Sequence, residues 1–129
     1  MDKTISYLRI LFHILTLLLI ILSLYPGSIL GFLLYGDFRL QPQFTKDFSY
    51  ISSQHLYSYL LVSALGFFSY LRDKKFKLVV IYLFFLSIIL EVAHFVISER
   101  SFQIVDLTGN ILGVLIAYTI VLTYKFWRK

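Results

Sequence analysis

Four apolar stretches, each close to the roughly 20 residues that cross a bilayer, predict an all-α membrane protein. The predicted architecture is a four-transmembrane-helix bundle with both termini in the cytoplasm. Two further observations carry this reading. The 129 residues are 59% hydrophobic and 19% aromatic, with a mean hydropathy of +0.81. A soluble domain this short cannot hide so much apolar surface from water. The Lys and Arg residues are also spread unevenly among the segments that separate the stretches.

The first stretch runs from about Tyr7 to Tyr25, the second from about Gln54 to Leu71, the third from about Leu78 to Ile97 and the fourth from about Ile104 to Tyr124. Lys3 precedes the first, and Arg9 falls in its first turn, from which its stem can carry the charge to the headgroups. This basic start is similar to a signal-peptide n-region. The apolar run is longer than a typical h-region, however, and no A-x-A-like cleavage site follows, so a retained helix is expected. Between the first two stretches, about Pro26 to Ser53, lies a partly apolar outer loop. Its segment from Ser28 to Tyr35 is too short to cross and reads as half-buried, interfacial or re-entrant. Tyr and Phe near the span ends, with Trp127 at the last, suit interfacial aromatic belts. With no internal repeat, low-complexity tract or linker, residues 1–129 form one domain.

Orientation follows from the twelve Lys and Arg. Nine of them (Lys3, Arg9, Arg72, Lys74, Lys75, Lys77, Lys125, Arg128 and Lys129) fall on one side of a four-span arrangement, which is therefore cytoplasmic. Three, Arg39, Lys46 and Arg100, fall on the other. The net charge of +5 thus reads as a topology signal, and nucleic acid is not expected as a partner. Cysteine is absent, which excludes disulfides and thiolate chemistry.

Ionisable groups within the spans are costly in lipid and by default suggest function. His55 and Tyr59 are four apart at the outer start of the second span, on one helix face. Glu91 and His94 are three apart near the outer end of the third. Asp106 and Asn110 are four apart at the outer start of the fourth, and Arg100 lies in the turn before it. Helical rise puts Glu91, Asn110 and Tyr59 each roughly 8–9 Å inside the outer boundary. Three helices thus bring polar groups to one level, for which a single outward-opening site is the economical explanation. The alternative is structural: an Arg100–Asp106 pair fixing the turn, and interhelical hydrogen bonds acting as packing glue.

Other signals are weaker. Gly109, Gly113 and Ala117 form a small-residue series explained by close helix packing. His13, alone in the first span, reads as a packing or backbone-bonded residue. Glu91-x-x-His94 resembles half of a di-iron unit whose second half is missing. No cofactor or metal is therefore expected, with a mononuclear site on His55, Glu91, His94 or Asp106 as a minor reading. The chain carries no H-E-x-x-H, G-x-S-x-G, P-loop or dinucleotide fingerprint.

In order, His55-x-x-x-Tyr59, then Glu91, His94, Arg100, Asp106, Asn110 and Gly113 in EVAHFVISERSFQIVDLTGNILG resemble the VanZ-like family, named for a protein associated with teicoplanin resistance. The Arg-x5-Asp-x3-Asn-x2-Gly run is the most specific part, and Pro26 also fits the family layout. His94 stands where the family has Gln, Ala117 where it has a last Gly, and Ile51 and Ser52 where it often has an Asp-Lys pair. The resemblance implies a small multi-pass protein of the bacterial cytoplasmic membrane with a polar site facing outward, but no particular reaction.

Three functions fit. The first is recognition, at the outer leaflet, of a membrane lipid or amphiphilic component of the cell envelope. Arg100 would attract an anionic headgroup, Glu91 and His94 would orient polar groups, and Asp106 and Asn110 would brace the site. The second is a transferase or hydrolase of lipid-linked sugars with Glu91 or His94 as general base. The third is a noncatalytic subunit among other membrane proteins. The charge asymmetry generates a direct prediction. In this cysteine-free chain, Lys74→Cys should resist an impermeant thiol reagent in intact cells and react after permeabilisation. Labelling from outside would invert the topology.

Overall fold

The computed structural model describes residues 2–128. It contains five α-helices in the order α1 (Lys3–Leu24), α2 (Ile29–Tyr35), α3 (Ser53–Tyr70), α4 (Phe76–Ala93) and α5 (Ile104–Trp127). Lys129, counted above among the basic residues, lies outside the described residues. Asp2 caps α1 by accepting the Thr4 N–H, and the helix stops at Tyr25, before Pro26. The apolar segment of the first loop forms α2. Ser28 Oγ accepts the Gly31 N–H at its start, and Gly36 takes the left-handed conformation at its end, φ 71°. Further along the loop, the Asp47 carboxylate accepts the Ser53 N–H and so caps α3.

Three helices, α1, α4 and α5, are long and apolar enough to cross a membrane. The second predicted span, α3, has the length at 18 residues but is interrupted by Ser, Tyr, Gln and His. The arrangement gives the reason. α3 is central, packing chiefly against α5 and also against α1 and α4. A helix screened by its neighbours needs fewer apolar residues, and small ones let the neighbours approach. Ser53, Ser63 and Ser69 of α3 are all buried. α1 shows the opposite pattern. Only Phe12 and Thr16 are buried along it, while Tyr7, Ile14 and Leu17 stand exposed as an apolar skin.

The core joins all four long helices through Phe12, Tyr59, Val62, Phe67, Leu83, Val114, Ala117 and Val121. Backbone contact between α3 and α5 sets its tightest point. A Cβ at Gly113 would fall 2.6 Å from the Leu56 carbonyl oxygen and 2.8 Å from the Leu60 nitrogen. One at Gly109 would fall 2.6 Å from the Ser52 carbonyl oxygen. At these two glycines the α5 and α3 backbones leave no room for a side chain. On α3's other side, the Phe12 ring lies over Gly66.

Charge segregates to the ends. The Arg9 guanidinium donates to the Ser69 carbonyl and to Asp73, at 3.1 and 2.6 Å, and lies over the Tyr70 ring. The Lys125 ammonium sits over the Phe76 ring. The start of α1, the α3–α4 connection and the end of α5 therefore meet at one end of the bundle. There His13 hydrogen-bonds the Tyr70 hydroxyl at 3.0 Å, a side-chain partner rather than a backbone one.

Two predictions follow from this packing. Gly113→Leu should lower stability by about 3 kcal/mol or more, since rigid backbone must move, whereas Leu115→Ala on the exposed face should shift the thermal midpoint in detergent little. The Asp73 carboxyl is held below its ordinary range by the Lys75 N–H and by Arg9. A depressed carboxylate stabilises the fold above its unfolded pKa and loses that contribution as pH falls through the folded one. Acid titration of Asp73→Asn should therefore show a smaller loss of stability below about pH 4 than the parent chain.

Candidate functional site

At the opposite end of the bundle, three helix termini meet. His55 and Tyr59 lie in the first two turns of α3, Asp106 and Asn110 in those of α5, and Glu91 in the last turn of α4. His94 is the residue that ends α4, so the third predicted span stops as a helix at Ala93 rather than Ile97. Glu91 is thus two residues from its helix end, not six, and its depth along α4 is about a third of that expected. The chain turns sharply there, and α5 begins over the Glu91 carboxylate.

Glu91, His94 and Asn110 are buried at 1%, 4% and 1% exposure, and His55 and Asp106 are half-buried. Glu91 Oε1 accepts the Gln103 N–H at 2.9 Å, stitching α4 to the start of α5. The same oxygen lies 3.2 Å from His94 Nδ1. His94 Nε2 donates to the Ser23 carbonyl at the end of α1, 3.0 Å away. Both nitrogens of His94 therefore face acceptors, an arrangement completed when the ring carries two protons.

His55 is oriented from behind. The Asn110 amide nitrogen donates to the Ser87 carbonyl at 3.1 Å, which turns Asn110 Oδ1 toward His55. That oxygen only accepts, so His55 Nδ1, 2.8 Å away, must carry the proton. His55 Nε2 is left facing Asp106 Oδ2 at 3.6 Å. Arg100 donates to the carbonyls of Tyr25 and Leu22, at 3.1 and 2.8 Å, and so caps α1 instead of pairing with Asp106. Tyr59 is buried, its hydroxyl reaching the Leu86 carbonyl at 3.4 Å across the α3–α4 contact.

Beside this cluster a cavity of about 130 Å³ opens between α1, α2 and α3. His55, Tyr59, His94 and Arg100 border it, together with Gln41, Gln54 and Ser58, which the sequence reading missed. Gln54 and Ser58 are four apart on the face beside His55 and Tyr59, a signal that could have found them. Gln41 had none, because only the fold of the first loop brings it there. Apolar Leu19, Leu22, Ile29 and Phe44 complete the wall.

The model of the VanZ/LLP1 family matches residues 8–127 of the chain. The chain belongs to the VanZ/LLP1 family. No curated protein and no solved structure matches it. For this VanZ/LLP1 chain, family membership and three apolar helices together identify a membrane protein.

One carboxylate oxygen is unaccounted for. Among the described residues, Glu91 Oε2 is buried without a hydrogen-bond partner, as is Ser63 Oγ. Glu91 thus does a structural task with one oxygen only. Glu91→Ala should therefore destabilise the fold by about 3 kcal/mol, leaving the Gln103 N–H and His94 unpaired. Glu91→Gln keeps an oxygen for the Gln103 N–H and should lose far less. Comparing the two thermal midpoints in detergent tests the assignment.

Proposed function

We propose that this VanZ/LLP1 protein is a four-span protein of the bacterial cytoplasmic membrane that recognises the polar head of an amphiphile or envelope component at the outer leaflet. In this reading α3 is the fourth crossing, shielded by α1, α4 and α5. The end carrying Arg9, Arg72, Lys74, Lys75, Lys77 and Lys125 faces the cytoplasm, in keeping with the positive-inside rule. The polar cluster then faces outward, and α2 lies along the interface with Leu33 and Leu34 toward lipid.

The observation that carries the proposal is the mixed wall of the cavity. Polar His55, His94, Gln54 and Gln41 line it together with apolar Leu19, Leu22, Ile29 and Phe44. A volume of about 130 Å³ is well below the roughly 300–1,000 Å³ that encloses a whole drug-sized ligand. It suits a headgroup whose tail remains in the bilayer. Arg100 lends positive charge to this wall, although two of its donors already hold α1. General-base chemistry by His94 is less well supported, since both its nitrogens are engaged.

Ser58 borders the cavity, is exposed and gives its hydroxyl hydrogen bond to the Gln54 carbonyl. Ser58→Trp should fill the cavity without unfolding the bundle. Native mass spectrometry of gently extracted protein should show a bound amphiphile on the parent chain and at least about tenfold less on this variant at an unchanged thermal midpoint. Equal retention by both would refute recognition at this cavity. Stoichiometric co-purification of other membrane subunits, with no amphiphile bound, would favour a scaffold role.

A further inference from the structure

We infer that His55, Glu91 and Asp106 form a binding site for one divalent transition-metal ion of the Zn²⁺ or Mn²⁺ type. One ligand atom from each of the three lies within 4.8 Å of the others, although they come from three different helices. The inference does not rest on amphiphile recognition.

Three independent features point to a cation. The first is the orphaned Glu91 Oε2, in a side chain that is 1% exposed. A buried carboxylate oxygen with no donor is costly, and native structures supply it with a partner. The second is the state of His55. With Nδ1 committed as donor to Asn110, a neutral ring presents the Nε2 lone pair to the Asp106 carboxylate. Two electron-rich atoms then face each other, an arrangement that a shared cation makes favourable. A proton on Nε2 would make the contact an ion pair at 3.6 Å, so proton and metal ion compete for the same position. The third is the separation itself. Two ligands bound at about 2.1 Å and at a tetrahedral angle sit about 3.4 Å apart, close to the 3.6 Å between His55 Nε2 and Asp106 Oδ2.

Donor chemistry selects the ion. One imidazole and two carboxylates suit Zn²⁺ or Mn²⁺, while Cu⁺ prefers sulfur ligands and Mg²⁺ an all-oxygen shell. The charges balance, with two carboxylates against one divalent ion. The Asn110 contact is the outer-shell support typical of ligating histidines, held in turn by the Ser87 carbonyl. Three protein ligands leave a fourth position. His55 borders the cavity, so that position is the one open to water or to an oxygen of a bound head group.

The test uses the full chain in detergent, stripped with chelator and titrated with Co²⁺ as a spectroscopic stand-in and with Zn²⁺ by calorimetry. One ion per chain is expected, with visible Co²⁺ ligand-field bands. Glu91→Gln and Asp106→Asn should each weaken binding by at least about tenfold, and His13→Gln, at the other end of the bundle, should leave it unchanged. Absence of saturable binding by folded parent protein overturns the site. So does binding that persists undiminished in folded Glu91→Gln and Asp106→Asn. Ser58→Trp should bind metal normally, which separates failure of this site from failure of amphiphile recognition.

Discussion

The polar end of the bundle depends on how closely α3 approaches α5. At Gly109 the space that a side chain would fill is taken by the Ser52 carbonyl and by His55 Cβ, 3.1 Å from the position a Cβ would occupy. Only because α5 is bare there can the His55 ring lie across it, with one nitrogen on Asn110 and the other toward Asp106. A larger residue at Gly109 or Gly113 would part the helices and carry His55 away from both. The small-residue series is thus a packing device and, through His55, the device that builds the cluster. The geometry of the cluster and the stability of the fold share one contact, and variants at the two glycines should lose both together.

Much of this was legible in the residues. Long apolar helices with polar residues at matching turns predicted the bundle and the convergence of His55, Glu91, His94, Asp106 and Asn110. What failed to read through was connected to chain ends and turns. Helical rise counted Glu91 as deep, because the apolar run continues through Phe95, Val96 and Ile97. The helix stops earlier, since Glu91 Oε1 captures the Gln103 N–H and folds α5 back over α4. The burial of the α3 serines was also illegible, since it depends on which helices surround α3. The pairing of Arg100 was illegible for a similar reason. Charge complementarity suggested Asp106, but the unsatisfied carbonyls at the end of α1 are invisible in side-chain patterns and make the better partner.

Arg100 and His94 show how a membrane bundle manages loose backbone. α1 stops just before Pro26, which has no N–H to donate, and so leaves carbonyls without intrahelical donors. Arg100 takes those of Leu22 and Tyr25, and His94 takes that of Ser23. Both donors come from the α4–α5 connection, so α1 is tied at this end by polar bonds. At the basic end it is tied by the Arg9 contacts to Ser69 and Asp73. Between the two ends it offers little more than Phe12 and Thr16 to the core. α1 is therefore clamped at its ends and lightly packed along its length, and it forms one wall of the cavity through Leu19 and Leu22.

The strongest argument for a working site is the part of Glu91 that the fold does not use. Packing glue alone would be served by a neutral acceptor, since the Gln103 N–H asks for one oxygen. A glutamine there would avoid burying a charge, and buried ion pairs are often less stabilising than neutral substitutes of the same shape. The chain instead holds a carboxylate with a spare oxygen, supports it with His94, and brings a second carboxylate and an oriented imidazole beside it. Each of those choices costs desolvation energy, and none of them is needed to close the α4–α5 turn. The expense is concentrated at the one end of the bundle where a cavity with a mixed polar and apolar wall opens. That coincidence is what an ion or ligand would account for and what helix packing does not.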